Sequence, residues 1–169
     1  MVDLRGSIEE QRQALENGCK ARDDNLASLD LANAATATNL SVESRDSTFK
    51  IPIRIYRPKH IAEDSESLPV AVYYHGGGWT LGSIEADDIF CRMICRDLGH
   101  LVVSVDYRLA PEHPHPVALN DCYDVLEWVS KIQIHEEVER LLIRPGLHQC
   151  RPLQDEYPSG LRNRQFCWW

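Results

Sequence analysis

The chain has 169 residues, with 18 Lys and Arg against 26 Asp and Glu, giving a formal net charge of −8. At 43% hydrophobic and 8% aromatic residues, it has the length of one domain with a real core, and its composition is neither disordered nor collagen-like. The acidic balance argues against general affinity for nucleic acid or anionic membrane, both held by clustered Lys and Arg, and no apolar run approaches the roughly 18–20 residues of a membrane span.

The N-terminal stretch, residues 1–10, is acidic and lacks the apolar core of a signal peptide, so a cytoplasmic location is expected. Six cysteines (Cys19, Cys91, Cys95, Cys122, Cys150, Cys167) are spread along the chain without a CxxC pair. That spacing gives no support to a zinc ribbon or thioredoxin-type site and is read as free thiols in a reducing compartment. Cys91 and Cys95 share a helix face and read as small apolar packing residues.

In chain order, residues 7–31 predict a helix: Ser7 and Glu10 have capping-box spacing, and Ile8, Leu15, Cys19, Leu26 and Leu29 recur at near-helical intervals. Over residues 36–57 the period changes. Phe49, Ile51, Ile53 and Ile55 alternate with Lys50, Pro52, Arg54 and Tyr56, predicting a half-buried antiparallel strand that Pro52 puts near a sheet edge. Residues 58–69 are polar, contain Pro58 and Pro69, and read as a loop. The apolar runs 70–74 and 101–105 read as strands covered on both faces, in the manner of a parallel sheet. Between them, 86–98 predicts a helix with Ile89, Phe90, Met93, Ile94 and Leu98 on one face and Gly99 as its C-terminal cap. Strand, helix, strand is a crossover unit, so the fold class is α/β. Residues 117–131 predict a further helix through Val117, Leu119, Cys122, Val125, Leu126 and Val129. Beyond Ile134 the pattern degrades: 136–143 can continue a helix, while 144–169 contain Pro145, Pro152 and Pro158 and show no period.

The strongest chemical signal is His75-Gly76-Gly77-Gly78-Trp79, directly after the first apolar run. Successive glycines allow a sharp turn and bring bare backbone N–H groups close to a ligand. Rigid donors of that kind suit an oxyanion hole; alone, the triplet is equally a plain glycine-rich turn. The second signal is Val103–Pro116, with the sequence VSVDYRLAPEHPHP. Together with HGGGW, Gly82-Ser83 and the DCYDVLEWV of residues 121–129, it resembles the hormone-sensitive-lipase-like branch of the α/β-hydrolase fold, over about residues 7–133.

The resemblance implies a carboxylic-ester hydrolase working through a Ser-His-Asp triad on a small acyl ester, with no cofactor. It implies that Gly77 and Gly78 donate the oxyanion N–H groups, that Gly76 permits the turn and that His75 positions the loop. It further implies that the N-terminal helix caps the acyl pocket, with Trp79 near the pocket wall. His75 is not the expected general base, because the family's base follows the nucleophile and the acid in the chain. Asp106, Arg108, Glu112 and His113 read as a structural polar cluster at a strand end. A metal at His113 and His115 is disfavoured, since Pro114 and Pro116 leave no helix to present them together. The expected architecture is the N-terminal half of an α/β-hydrolase mixed sheet flanked by helices. It divides into a cap-helix region (1–35), a partial core (36–133) and an irregular tail (134–169).

The family's nucleophile sits in Gly-x-Ser-x-Gly. None of the eleven serines, and no cysteine, has glycine at both −2 and +2. The acid and base, expected further on, find no matching positions. The chain is therefore expected to be an ester hydrolase by family that is inactive as it stands. The alternative is a non-catalytic pseudo-hydrolase fragment that binds small apolar carbonyl compounds or a protein partner. The tail hints at a cause. Followed by a TGA stop, the codons for Phe166-Cys167-Trp168-Trp169, shifted by one base, read Phe/Ser-Val/Ala-Gly-Gly-Asp/Glu, the start of the family's G-G-D-S-A-G-G elbow. Residues from somewhere in 134–150 onward are thus expected to be out of frame. In that family the strand before HGGG lies next to the strand leading into the elbow, so an exposed apolar edge at Val70–Tyr74 and self-association through it are expected.

Overall fold

The computed structural model describes residues 6–26, 30–62 and 68–134. Expectations for Leu29, for the helical continuation over 136–143 and for the tail lie outside these residues. Helix α1 (Ile8–Leu26) opens with the expected capping box: the Ser7 N–H donates to Glu10 Oε2 at 2.7 Å, and the Glu10 N–H donates back to Ser7 Oγ at 3.3 Å. Leu31, expected to end this helix, belongs instead to a separate 3₁₀ turn, Leu31–Asn33, entered through Asp30 in the left-handed region.

The segment read as one strand region is a hairpin. Strand β1 (Ala35–Glu43) pairs antiparallel with β2 (Lys50–Pro58), from Ala35 opposite Pro58 to Glu43 opposite Lys50. Then come β3 (Val70–Tyr74), α2 (Asp88–Leu98), β4 (Leu101–Val105) and α3 (Val117–Ile134). The sheet order is β1-β2-β4-β3, with β2 antiparallel and β3 parallel to β4. This is a mixed sheet, as the resemblance noted in the sequence implies.

Pro52 is not near a sheet edge, because β2 is an interior strand. It is tolerated there for a local reason. The β2–β4 register begins at Ile53 opposite Val105, and the Pro52 carbonyl accepts from the Asp106 N–H, just past the end of β4, at 3.0 Å. Since N–H and C=O of one strand residue face the same side, the N–H that proline lacks would also fall beyond the ladder.

The sheet separates two apolar layers. Ile51, Ile53, Ile55, Val103 and Val105 pack with Ala118, Cys122, Val125 and Val129 of α3, and on the opposite face Tyr56 and Val102 pack with Cys91 and Cys95 of α2. Burying each large aliphatic side chain contributes about 1.5–3 kcal/mol. The α2 face differs from expectation: Phe90 and Leu98 are 46% and 62% exposed, whereas Cys91 and Cys95 are fully buried. A broad apolar arc offers several faces, and the crossover between β3 and β4 selects the one carrying the small thiols, which fit closely against the sheet. Gly99 caps the helix as expected, at φ 65°. On α3, Leu119 is likewise exposed and Asp121 takes a core position.

Candidate functional site

The glycine turn leaves β3 at its C-terminal end, beside the end of β4. Gly77 (φ 129°), Gly78 (φ 61°) and Trp79 (φ 67°) all have positive φ. A Cβ on Gly77 would collide with the Leu81 carbonyl, so no other residue fits. Trp79 is a non-glycine held in the left-handed region, a strained conformation that persists only where its surroundings impose it. The surroundings do so here. The Gly77 carbonyl accepts from the Thr80 and Leu81 N–H groups at 3.2 and 3.0 Å, and the Trp79 carbonyl accepts from the Ala110 N–H at 2.9 Å. The indole lies against the Tyr107 ring, centroids 5.4 Å apart, and remains half exposed. The N–H groups of Gly76, Gly77 and Gly78 donate to no acceptor among the described residues.

His75 is buried beneath this turn. Its ring stacks on Tyr107 at 4.1 Å and 10°, and the Tyr107 hydroxyl donates to the His75 carbonyl at 2.6 Å. Nδ1 lies 3.0 Å from the Gly76 carbonyl, while Nε2 is buried without a hydrogen-bond partner among the described residues. Gly82 supplies the space: a Cβ there would strike the imidazole and the Gly76 carbonyl. Tyr107 and Gly82 are the residues that sequence reasoning underused. Both stood inside the quoted motifs, but nothing local to either marks it as a contact of His75.

Asp106, Arg108, Glu112 and His113 do not form one cluster. Asp106 faces the turn, accepting from the Ile84 N–H at 3.3 Å, and burial pushes its carboxyl up, partly opposed by that bond. Arg108 points the other way into α3, donating through Nε and Nη2 to Asp121 at 2.9 and 2.7 Å. Glu112 pairs with Arg12 of α1, whose hydrogen bonds hold the carboxyl down at about 2. The side chain of His113 is exposed. The physical reason is that consecutive residues past a strand end diverge as the chain bends, so closeness in sequence does not bring side chains together.

This fold and turn can be set beside known proteins. A profile of the α/β-hydrolase fold matches residues 71–143. The carboxylic ester hydrolase LipN of Mycobacterium tuberculosis is 49% identical over 82 residues, 48% of this chain and 21% of LipN. Carboxylesterase NlhH of the same species is 44% identical over 96 residues, 54% of this chain and 29% of NlhH. The solved esterase of Pyrobaculum calidifontis superposes with a TM-score of 0.61 at 38% identity, over 75% of this chain and 38% of that one. The chain carries the N-terminal portion of a hormone-sensitive-lipase-like α/β-hydrolase. Its matched part spans less than a third of LipN and NlhH. Among the described residues of this α/β-hydrolase portion, no helix is long and apolar enough to cross a membrane.

Proposed function

We propose that the turn Gly76–Gly78 is the oxyanion-binding half of a carboxylic-ester hydrolase site, with Gly77 and Gly78 as the donors. One observation carries this reading: three adjacent backbone N–H groups without acceptors among the described residues, on a turn whose conformation is imposed by Tyr107, Ala110 and the buried His75. Such a cradle stabilises charge as it develops on an ester carbonyl oxygen, where each donor contributes about 3–4 kcal/mol. In the family's chemistry a serine attacks the carbonyl, forms an acyl-enzyme and releases it to water. This chain has no Gly-x-Ser-x-Gly, so by itself it binds an acyl oxygen and turns over no ester.

Two measurements on the purified chain test this. With p-nitrophenyl butyrate the rate equals the buffer background; turnover above background that disappears in Gly77→Pro overturns the inactive reading. In a butyrate titration, the carboxylate standing in for the oxyanion, the Gly77 and Gly78 amide resonances move. Unmoved resonances overturn the cradle.

Two further parts of the reading concern the rest of the chain. The family profile extends to residue 143, which supports a frame change after that point, within the 134–150 window. A nucleotide sequence whose neighbouring frame past codon 169 does not encode Ser-Ala-Gly-Gly defeats it. Strand β3, Val-Ala-Val-Tyr-Tyr, is the outermost described strand on its side and carries no charge or proline. Apolar edges of this kind pair between molecules, so sedimentation velocity is expected to show oligomers; a monodisperse monomer counts against it.

A further inference from the structure

We propose that Arg12 is a positioning residue for the glycine turn, a clip by which the N-terminal helix holds two loops in register around Gly76–Gly78. The proposal rests on the oxyanion reading above. One guanidinium reaches four acceptor oxygens, from three residues on two loops. Nε donates to the Thr80 carbonyl at 3.0 Å and Nη2 to the Ala110 carbonyl at 3.1 Å, while Nη1 and Nη2 take both Glu112 carboxylate oxygens at 2.7 and 2.9 Å.

These acceptors are coupled to the turn at close range. Thr80 donates its N–H and its hydroxyl to the Gly77 carbonyl. Ala110, whose carbonyl Arg12 holds, donates its own N–H to the Trp79 carbonyl. The guanidinium therefore closes a circuit that runs by hydrogen bonds from Arg12 through Thr80 to Gly77, along the backbone to Trp79, and by hydrogen bonds again through Ala110 back to Arg12. A second attachment lies ten residues along the helix, about 15 Å away, where Arg22 donates to the Ala86 carbonyl and lies 3.8 Å from Asp87. Helix α1 is thus fastened at two points to the stretch that follows the turn.

An isolated exposed ion pair would add little. What distinguishes Arg12 is that it satisfies two backbone carbonyls and a carboxylate at once, which a planar five-donor group can do and a lysine ammonium at the end of a flexible stem cannot. Released from it, the loop containing Thr80 is free to move relative to Ala110, and the three N–H groups lose their fixed direction.

The test is hydrogen–deuterium exchange by mass spectrometry on the full chain, comparing the peptide covering residues 75–82 with that covering β4. In Arg12→Ala, exchange at 75–82 is expected to rise about tenfold while β4 stays protected, as for a local opening. Arg12→Lys is expected to resemble the alanine variant, and Glu112→Gln, which leaves both carbonyl bonds in place, to fall between it and wild type. Unchanged exchange at 75–82 in a folded Arg12→Ala overturns the proposal. If Arg12→Ala also deprotects β4, Glu112→Gln and wild type in 1 M salt, where the screening length is about 3 Å, carry the test, and no rise at 75–82 in either overturns it. Butyrate separates this inference from the one beneath it. Affinity at the turn is expected to fall about tenfold in Arg12→Ala, and equal affinity overturns the positioning role. Failure of wild type to bind butyrate defeats the cradle instead.

Discussion

Two arginines fasten the segment that follows β4, one within it and one from α1, by different physics. Arg108 reaches inward to Asp121, whose side chain is fully buried, through two side-chain bonds and one from its own N–H. Arg12 reaches across from α1 to Glu112, in a pair of which both members meet solvent. The inner pair surrenders hydration that its own bonds chiefly replace, so losing either partner leaves a poorly compensated charge. The outer pair keeps its water and contributes little to stability while still orienting the loops it touches. Between them stands Arg45–Asp124, with a buried acid and an exposed guanidinium. The lesson is that one loop can be anchored by a contact that folds it and tuned by a contact that aims it.

That contrast can be broken by mutation, starting with its strongest member. Asp121→Ala is expected to destabilise the fold by about 3–5 kcal/mol, read as a lower urea midpoint, because Arg108 then lies 11% exposed with no counter-charge of comparable geometry. Asp124→Ala is expected to cost about 1–3 kcal/mol by the same measurement, since the Arg45 N–H loses its acceptor at 2.8 Å but its guanidinium returns to water. Glu112→Gln is expected to leave the midpoint where it is. An equal loss for Asp121→Ala and Glu112→Gln would abolish the distinction.

Acid sharpens the same contrast and is the smallest effect. The Glu112 carboxyl is held at about 2, against an ordinary 4.5. Its contribution is therefore complete above the ordinary value and disappears as pH falls through about 2. Asp106 runs in the opposite sense. Its carboxyl is pushed up by burial, so the folded state binds that proton more tightly than the unfolded chain, and its contribution declines as pH rises from the ordinary 3.8 upward. Asp106→Asn keeps an acceptor for the Ile84 N–H and is expected to remove that decline. Thermal midpoints between pH 3 and 6 that fall alike in wild type and variant would assign the slope to another group.

Much of the architecture was legible in the sequence because it is written in short-range patterns. The capping box of Ser7 and Glu10, the alternation of Ile51, Ile53 and Ile55, the apolar run of β4 and the glycine cap of α2 each need only a few neighbouring residues to be recognised. The HGGGW turn and the DYRLAPE segment stood out for the same reason. Where reading failed, the deciding neighbour was remote. Pro52 is allowed inside the sheet because β4 ends opposite it. Phe90 faces solvent because the crossover turned Cys91 and Cys95 inward. The polar residues after β4 divided among three different partners.

By itself, then, the sequence determined the strand-and-helix order from β3 to α3, the hydrolase kinship and the glycine turn, since backbone preference and burial pattern act over a few residues. Only the tertiary structure decided that His75 lies on Tyr107, that Gly82 clears space for it, and that Arg12 meets Glu112 a hundred residues away. Those contacts follow from how the sheet and its loops are stacked, and no local pattern carries the position of a partner so far along the chain.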